Sequence, residues 1–151
     1  MEESSETLRS VSRTKLESQW VVGFVDGEGC FDVVITPHLE MPTGFQVLPE
    51  FTVVQHERDI QILYSLKAFF GCGVVRRNHD RRMAFRVSGL KPLKARVIPF
   101  FERHPLKTKK RIDFMRFRKV VLLMERGEHL TPEGLERIRA IAAQMNTRRE
   151  R

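Results

Sequence analysis

The chain has 151 residues, with 27 lysines and arginines against 19 aspartates and glutamates and a formal net charge of +8 at neutral pH. Hydrophobic residues make up 41% of the sequence, which favours a globular domain over a disordered chain, and no apolar run approaches the ~20 residues of a membrane span. So large a positive excess favours a polyanionic partner, above all nucleic acid, over a merely soluble basic surface.

The N-terminal part predicts a leader followed by a helix. Residues 1–13 are polar and aperiodic and are expected to form a disordered leader. Thr14 and Glu17 have the spacing of a capping box, in which the threonine is the N-cap and the glutamate reaches back to it. A helix is therefore expected from Lys15 to Asp26, ended by the glycines that follow it.

Two strands are expected after this helix. Alternating, β-branched residues indicate strands from Cys30 to His38 and from Phe45 to Gln55, joined by the turn LEMPTG. Pro49 has no N–H group to donate to a central ladder, so it indicates an edge position or a bulge in the second strand.

The rest of the chain alternates helices with a second pair of strands. The elements expected there are a helix from Arg58 to Phe70, strands over 73–78 and 82–88, a helix from Lys91 to Ile98 cut short by Pro99, a helix capped by Thr108 that runs to Arg126, and a helix opened by Thr131 and Pro132 that runs to Met145. Hairpin pairs separated by helices indicate an α+β fold with an antiparallel sheet. One domain is expected over residues 14–146, followed by a basic tail over 147–151.

The first predicted helix contains two glycines with helical spacing. Gly23 and Gly27 are four residues apart and share one face of that helix. Each glycine costs roughly 1 kcal/mol of helix stability relative to alanine, so a packing reason is expected. Either a second copy of the helix approaches closely along this face, or a bulky neighbour from the same chain fills the space.

Glu28 follows the predicted end of that helix, where free carbonyl groups make the local potential negative. A carboxylate is electrostatically misplaced there unless a cation binds to it. Carboxylate and backbone carbonyl oxygens are the ligands that Mg²⁺ prefers, and two copies of the helix would bring two such acids together. The alternative is a solvent-exposed acid beside a turn.

Together with its sequence context, the segment VVGFVDGEG, residues Val21–Gly29, resembles the nine-residue motif of LAGLIDADG homing endonucleases. The resemblance is to the members that have a single motif and work as homodimers. The predicted element order agrees with it, as do the phrases GCGVVRRN, GLKPL and LKTKK, and it extends from Lys15 to Arg126. It implies an αββαββα core with a four-stranded antiparallel saddle sheet and additional C-terminal helices.

The resemblance also assigns roles to individual residues. It implies a dimer interface formed by residues of the motif helix, namely Trp20, Gly23, Phe24 and Gly27. Glu28 and the backbone carbonyl of Gly27 would bind the divalent metal, which is expected to be Mg²⁺, with Mn²⁺ or Ca²⁺ able to occupy the same sites and Ca²⁺ not supporting cleavage. Asp26 would have a structural role at the helix end. Gln55 would organise water and Lys107 would stabilise developing charge, whereas Arg58 has no certain counterpart.

In the resemblance the sheet lies in the major groove of DNA, and strand parity separates its two faces. The core face is expected to consist of Phe31, Val33, Ile35, Phe45, Val47, Phe51, Val53, Met83, Phe85 and Val87. The residues expected to bind DNA are Asp32, Val34, Thr36, His38, Gln46, Leu48, Glu50, Thr52, Arg76, Arg77, Asn78, Arg82, Arg86 and Lys109. Ala84 shares the outer parity, and Lys110 is grouped with the phosphate-contacting or solvated basic residues.

These expectations favour a homodimeric, divalent-metal-dependent endonuclease that hydrolyses both strands of a long, near-palindromic DNA target. The alternatives are an RNA maturase of the same family, which assists intron splicing, and a DNA-binding regulator that does not cleave. The separated cysteines, Cys30 and Cys72, indicate a reducing intracellular setting, either organellar or in archaeal or bacterial cytoplasm. Neither a membrane partner nor an organic cofactor is expected.

Overall fold

The computed structural model describes residues 15–146. Within them the helices are α1 (Ser18–Glu28), α2 (Ile60–Phe70), α3 (Leu90–Pro92), α4 (Ile98–Arg103), α5 (Lys110–Glu125) and α6 (Pro132–Ala143). The strands are β1 (Gly29–Pro37), β2 (Phe45–His56), β3 (Val74–His79) and β4 (Arg82–Ser88). A π-helical turn (Leu93–Val97) joins α3 to α4, and 3₁₀ turns span Glu57–Asp59 and Glu128–Leu130.

The strands form an antiparallel sheet in the order β1-β2-β4-β3. Phe31 of β1 pairs with Phe51 of β2, which pairs in turn with Val87 of β4. Residues of this parity are buried beneath the helices, while those of the other parity form an open outer face. The predicted α+β fold with an antiparallel four-stranded sheet is therefore confirmed.

Phenylalanines dominate the core between sheet and helices. The ring of Phe31 lies 5.1 Å from that of Phe51, 5.5 Å from Phe101, 5.3 Å from Phe114 and 5.2 Å from Phe117, measured between centroids. Aromatic pairs in such stacked, tilted and edge-on arrangements add to the stabilisation from burial. Since Phe31 is three residues beyond Glu28, this cluster fixes the start of β1 and the end of α1 in place.

The bounds of α1 differ from the prediction at both ends. Glu17 is itself the N-cap, with extended backbone and no side-chain cap hydrogen bond, so the helix begins at Ser18 and not at Lys15 as predicted. Thr14, the predicted N-cap, lies outside the described residues. The helix continues through Gly27 to Glu28, and Gly29 is its C-cap. A Cβ on Gly29 would lie 2.7 Å from Cγ1 of Val25, so the change from helix to strand depends on a glycine there.

Pro99 does not end the helix that precedes it, contrary to prediction. The chain remains helical from Leu90 to Arg103, and Pro99 lies in the first turn of α4. The π-helical turn before α4 explains this, because the wider turn alters the hydrogen-bond ladder at the point where proline provides no donor. Pro49 lies in the part of β2 that pairs with β1 alone, because the pairing with β4 stops at Glu50. It therefore has an edge position, and the continuous register with β1 contains no bulge.

The C-terminal helix covers the free edge of β1. Asn146, in the left-handed conformation, donates from Nδ2 to the backbone oxygen of Phe31 at 2.8 Å. Its own backbone N–H donates to Asp113 of α5 at 3.3 Å. An exposed strand edge is a template for unwanted pairing, and this contact helps to protect it. Among the helices of residues 15–146, none is long and apolar enough to cross a membrane.

Candidate active site and nucleic-acid interface

The predicted metal-binding residues lie at the exposed C-terminal end of α1. Glu28 is the last residue of the helix and is solvent-exposed, as is Gly27 before it. Within residues 15–146 Glu28 takes part in no ion pair. The same residues contain no group of three or more His, Cys, Asp or Glu side chains that could hold a metal ion. One protomer therefore presents a single uncompensated carboxylate beside the carbonyl groups of a helix end.

Asp26 connects this helix end to the loop that contains Lys107. Its carboxylate accepts hydrogen bonds from the backbone N–H of Lys107 at 2.7 Å, and from the backbone N–H and the hydroxyl of Thr108 at 3.2 and 2.8 Å. Partial burial raises the pKa of Asp26, but these hydrogen bonds and the charge of Lys110 lower it, and the net shift is downward. Thr108 also accepts from the N–H of Lys110 at 3.2 Å. The N-cap of α5 is nevertheless Lys109, so the predicted cap is displaced by one residue.

Lys110 is buried and does not face solvent or a phosphate, so that part of the prediction is wrong. Its Nζ donates to the backbone oxygen of Val25 at 3.1 Å, and only 8% of the residue is exposed. The backbone N–H of Gly29 donates to the same oxygen. A buried cation at a helix C-terminus offsets the negative end of the helix dipole. This contact could not be predicted from the sequence, because Lys110 occurs in a run of basic residues that are otherwise exposed.

The two motif glycines face open space. A Cβ built on Gly23 or Gly27 meets no atom within 4 Å, leaving out the helix's own nearby backbone. The bulky intrachain neighbour considered above is therefore absent from residues 15–146. Trp20, 46% exposed, stacks on Phe24 beside the glycines with ring centroids 4.9 Å apart. All four residues predicted for the interface thus contribute to one partly apolar face of α1, called here the motif face.

Gln55 and Lys107 lie at the same end of the domain as Glu28. The register pairs Gly29 with Val53, which places Gln55 beside the end of α1. The Gln55 side chain donates to the backbone oxygen of Val54 at 2.9 Å, and Lys107 is exposed. The hydrogen bond from Lys107 to Asp26 brings the loop of Lys107 to this end. Arg58, the uncertain candidate, is exposed just beyond β2, where its N–H donates to Nδ1 of His56.

The outer face of the sheet presents most of the residues predicted to bind DNA. Those that are exposed are Val34, Thr36, Gln46, Arg76, Asn78 and Arg82, together with Lys109 at the start of α5; those that are partly buried are His38, Leu48, Glu50, Thr52 and Arg86. Ala84 shares the outer parity but is 1% exposed, because larger side chains on both neighbouring strands cover it. Val54 and His56 have the same parity and also belong to this face, because β2 continues to His56. The prediction did not include either residue.

Two predicted DNA-binding residues have other contacts. Asp32 accepts from the N–H of Val33 at 2.9 Å and lies 3.5 Å from Nδ2 of Asn146, at the edge of the sheet. Arg77 pairs with Met83 and so has the parity of the core face. Its guanidinium lies 3.4 Å from Glu57 and donates to the backbone oxygen of Asp80. Asp32 thus keeps the outer parity but lies at the sheet edge, whereas Arg77 has the parity of the core face, and contact of either residue with DNA stays a prediction.

Comparison with known proteins identifies the family to which this fold belongs. The family model for LAGLIDADG endonuclease matches residues 21–121, and the chain belongs to that family. The crystal structure of the homing endonuclease I-TnaI is 60% identical and superposes with a TM-score of 0.86 over 89% of this chain and 90% of that chain. I-SmaMI bound to uncleaved DNA target in the presence of calcium ions is 33% identical, with a TM-score of 0.84, over 86% of this chain and 45% of that chain.

Among the curated relatives is the probable intron-encoded endonuclease 2 of Neurospora crassa, which is 32% identical over 120 residues. These residues make up 79% of this chain and 25% of the relative, so the chain spans about a quarter of that protein's length. The predicted family is thereby confirmed.

Proposed function

We propose that the chain is one protomer of a homodimeric, site-specific DNA endonuclease that hydrolyses both strands of a long, near-palindromic target and requires a divalent cation. The observation that supports this most directly is the end of α1. It exposes a carboxylate, Glu28, that has no ion pair within residues 15–146, directly beside a helix face whose glycines have no neighbour among the same residues. The names of the relatives support the same activity, and they favour an intron-encoded, intracellular protein.

The motif face supports the proposed homodimer. Two glycines four residues apart lower helix stability, yet no side chain of residues 15–146 uses the space they leave. A second copy of α1 packed along this face would use that space and would cover Trp20 and Phe24. Because the chain matches 45% of the I-SmaMI chain, two copies would provide a sheet area comparable to that of I-SmaMI.

The residues at the end of α1 fit a hard divalent cation. Carboxylate and carbonyl oxygens are suitable ligands, and Glu28 with the Gly27 carbonyl provides both. One carboxylate per protomer is too few for such an ion, so the site is complete only when two protomers bring their helix ends together. A divalent cation bound there would neutralise phosphate charge and favour ionisation of water. We expect Mg²⁺ to serve in this way.

The remaining residues of the site have distinct tasks in this proposal. Lys107 stabilises negative charge that develops on the scissile phosphate, and Asp26 holds the loop that presents it. Gln55, at the end of β2, orients water near the phosphate. The outer face of the sheet contacts base edges in the major groove, where mixed polar and apolar side chains can distinguish sequences.

Replacing Glu28 by glutamine tests the assignment. Glutamine removes the negative charge with little change in shape, so affinity for the target duplex should persist while Mg²⁺-dependent cleavage falls by at least about 100-fold. Glu133→Gln, at an exposed acid in the first turn of α6, is the matched control and should cut normally. Cutting by Glu28→Gln at the rate of the control would refute the site. Binding of RNA without any duplex cleavage by the unaltered protein would favour the maturase alternative.

A further inference from the structure

We propose that Arg86 recognises a guanine in the major groove and that Glu50 acts as the positioning residue that orients it. This inference rests on the proposed function, because it requires the outer face of the sheet to bind duplex DNA. It changes the role of Glu50, whose carboxylate then serves the arginine and does not contact a base.

The ion pair leaves one edge of the guanidinium available. Nε of Arg86 lies 2.7 Å from Oε2 of Glu50, and the exposed fractions of the two side chains are 37% and 16%. The carboxylate therefore lies closest to Nε of Arg86, and no hydrogen bond from either terminal nitrogen of the guanidinium occurs within residues 15–146. A planar pair of donors matches the O6 and N7 acceptors of guanine.

The sheet register explains why Glu50 turns towards Arg86. Glu50 pairs with Asp32 on β1, and like charges directly opposite each other repel. Asp32 is engaged at the sheet edge by Asn146 and by the N–H of Val33. Glu50 turns the other way and meets Arg86, which pairs with Thr52 two residues further along β2. The pairing also keeps an acid on this face from repelling the phosphates of DNA.

Other arginines of the same region lack this arrangement. Arg76 is exposed and has no ion pair within residues 15–146, so nothing there fixes its orientation. Arg77 pairs with Glu57, but it has the parity of the core face. Arg86 therefore combines outer-face parity with a carboxylate that restricts its rotamers, and such restriction lowers the entropy lost on binding.

The test compares base preference in matched variants. The unaltered homodimer is bound to a randomised duplex library in Ca²⁺, and the bound sequences give the preference at each base pair. One base pair in each half-site should show a guanine preference of roughly 5- to 100-fold that Arg86→Lys, which keeps the charge but has no fork, abolishes. Glu50→Gln should reduce this preference several-fold at the same base pair alone. Glu57→Gln, which breaks the other ion pair, should leave it unchanged.

The outcomes separate this inference from the proposed function. If the unaltered protein selects no duplex, the proposed function fails and the inference fails with it. If it selects a target but Arg86→Lys retains every base preference, only the inference is overturned. A loss in Glu50→Gln that is equal at all positions indicates a merely structural role and also overturns it. Thermal unfolding of each variant excludes loss of folding as the cause.

Discussion

Asp26 is the residue through which the end of α1 controls the position of Lys107, and Asp26→Asn perturbs that link with the smallest change in shape. The asparagine amide keeps one acceptor oxygen and replaces the other by a donor. Asp26 at present receives donors on both oxygens, from Lys107 on one and from Thr108 on the other. The substitution therefore loses at least one hydrogen bond and turns an N–H group towards another N–H group.

The contacts of Asp26 allow the expected losses of stability and of cleavage rate to be estimated. A hydrogen bond to a charged group contributes about 1.5–3 kcal/mol, and the partial exposure of Asp26 reduces this, so the free energy of unfolding should fall by about 1–2 kcal/mol. The effect on cleavage should be larger, because a misplacement of about 1 Å in a catalytic group can cost roughly 100-fold. We expect the rate of cleavage to fall about 10- to 100-fold while affinity for the target stays within about threefold.

Single-turnover cleavage of a bound target duplex separates these quantities. Asp113→Asn is the control, since Asp113 also anchors a backbone N–H, that of Asn146, but away from the candidate active site. The free energy of unfolding of Asp113→Asn should fall, but its rate of cleavage should fall much less than that of Asp26→Asn. Should Asp26→Asn cleave no more slowly than Asp113→Asn, the inference that Asp26 positions Lys107 would be refuted.

Three further predictions concern the dimer, the helix end and pH. Gly23→Ala should stabilise the protomer by up to about 1 kcal/mol, because the added Cβ meets no atom within residues 15–146. The same Cβ would project into the proposed dimer interface, so dimerisation should weaken at least about tenfold in sedimentation analysis. Gly134→Ala, whose Cβ would clash with the backbone of Glu128, should destabilise the protomer itself. Lys110→Met should lower the free energy of unfolding in urea by about 1–2 kcal/mol through loss of the contact with Val25, and equal stability would contradict the capping role. Burial lowers the pKa of His129, so the unfolded chain binds the proton first as pH falls. The contribution of His129 to stability should therefore be constant above about pH 7 and decline below it, and a smaller decline is expected in His129→Gln.

The strands could be predicted from the sequence because local and tertiary preferences agree there. Alternation along β1 and β2 assigns Phe31, Phe51 and Val53 to the core, and each is fully buried. Pro99 shows where that agreement ends. Proline disfavours the interior of a regular α-helix, but a π-helical turn upstream lets the chain remain helical. Whether such a turn forms depends on packing against the rest of the core, which includes Val97 and Phe101, and this cannot be deduced from local pattern.

The roles of the motif carboxylates, Asp26 and Glu28, could be proposed from the sequence, but the residues that contact the end of this helix could not be predicted. Asp26 bonds to residues 81 and 82 positions away, and Lys110 reaches Val25 across 85 positions. Contacts between residues so far apart leave no periodic pattern. The composition of the run from Lys107 to Arg111 indicates only a basic surface, although one of its lysines is buried. Charge counting therefore favours a nucleic-acid partner, in agreement with the proposed function, but it misassigned this residue.

The arrangement at the end of α1 explains how a basic chain keeps two acids so close together without compensating both. The inward carbonyl of Val25 is satisfied by Lys110, which removes much of the unfavourable potential at the helix end. Asp26 is satisfied by the loop of Lys107, which makes the first acid part of the scaffold. Glu28 alone has neither contact, and it is exposed beside the motif face. Since the other groups are already paired within the protomer, a cation that entered between the two protomers of the proposed dimer would have these glutamates, and the carbonyls of Gly27, as its available ligands.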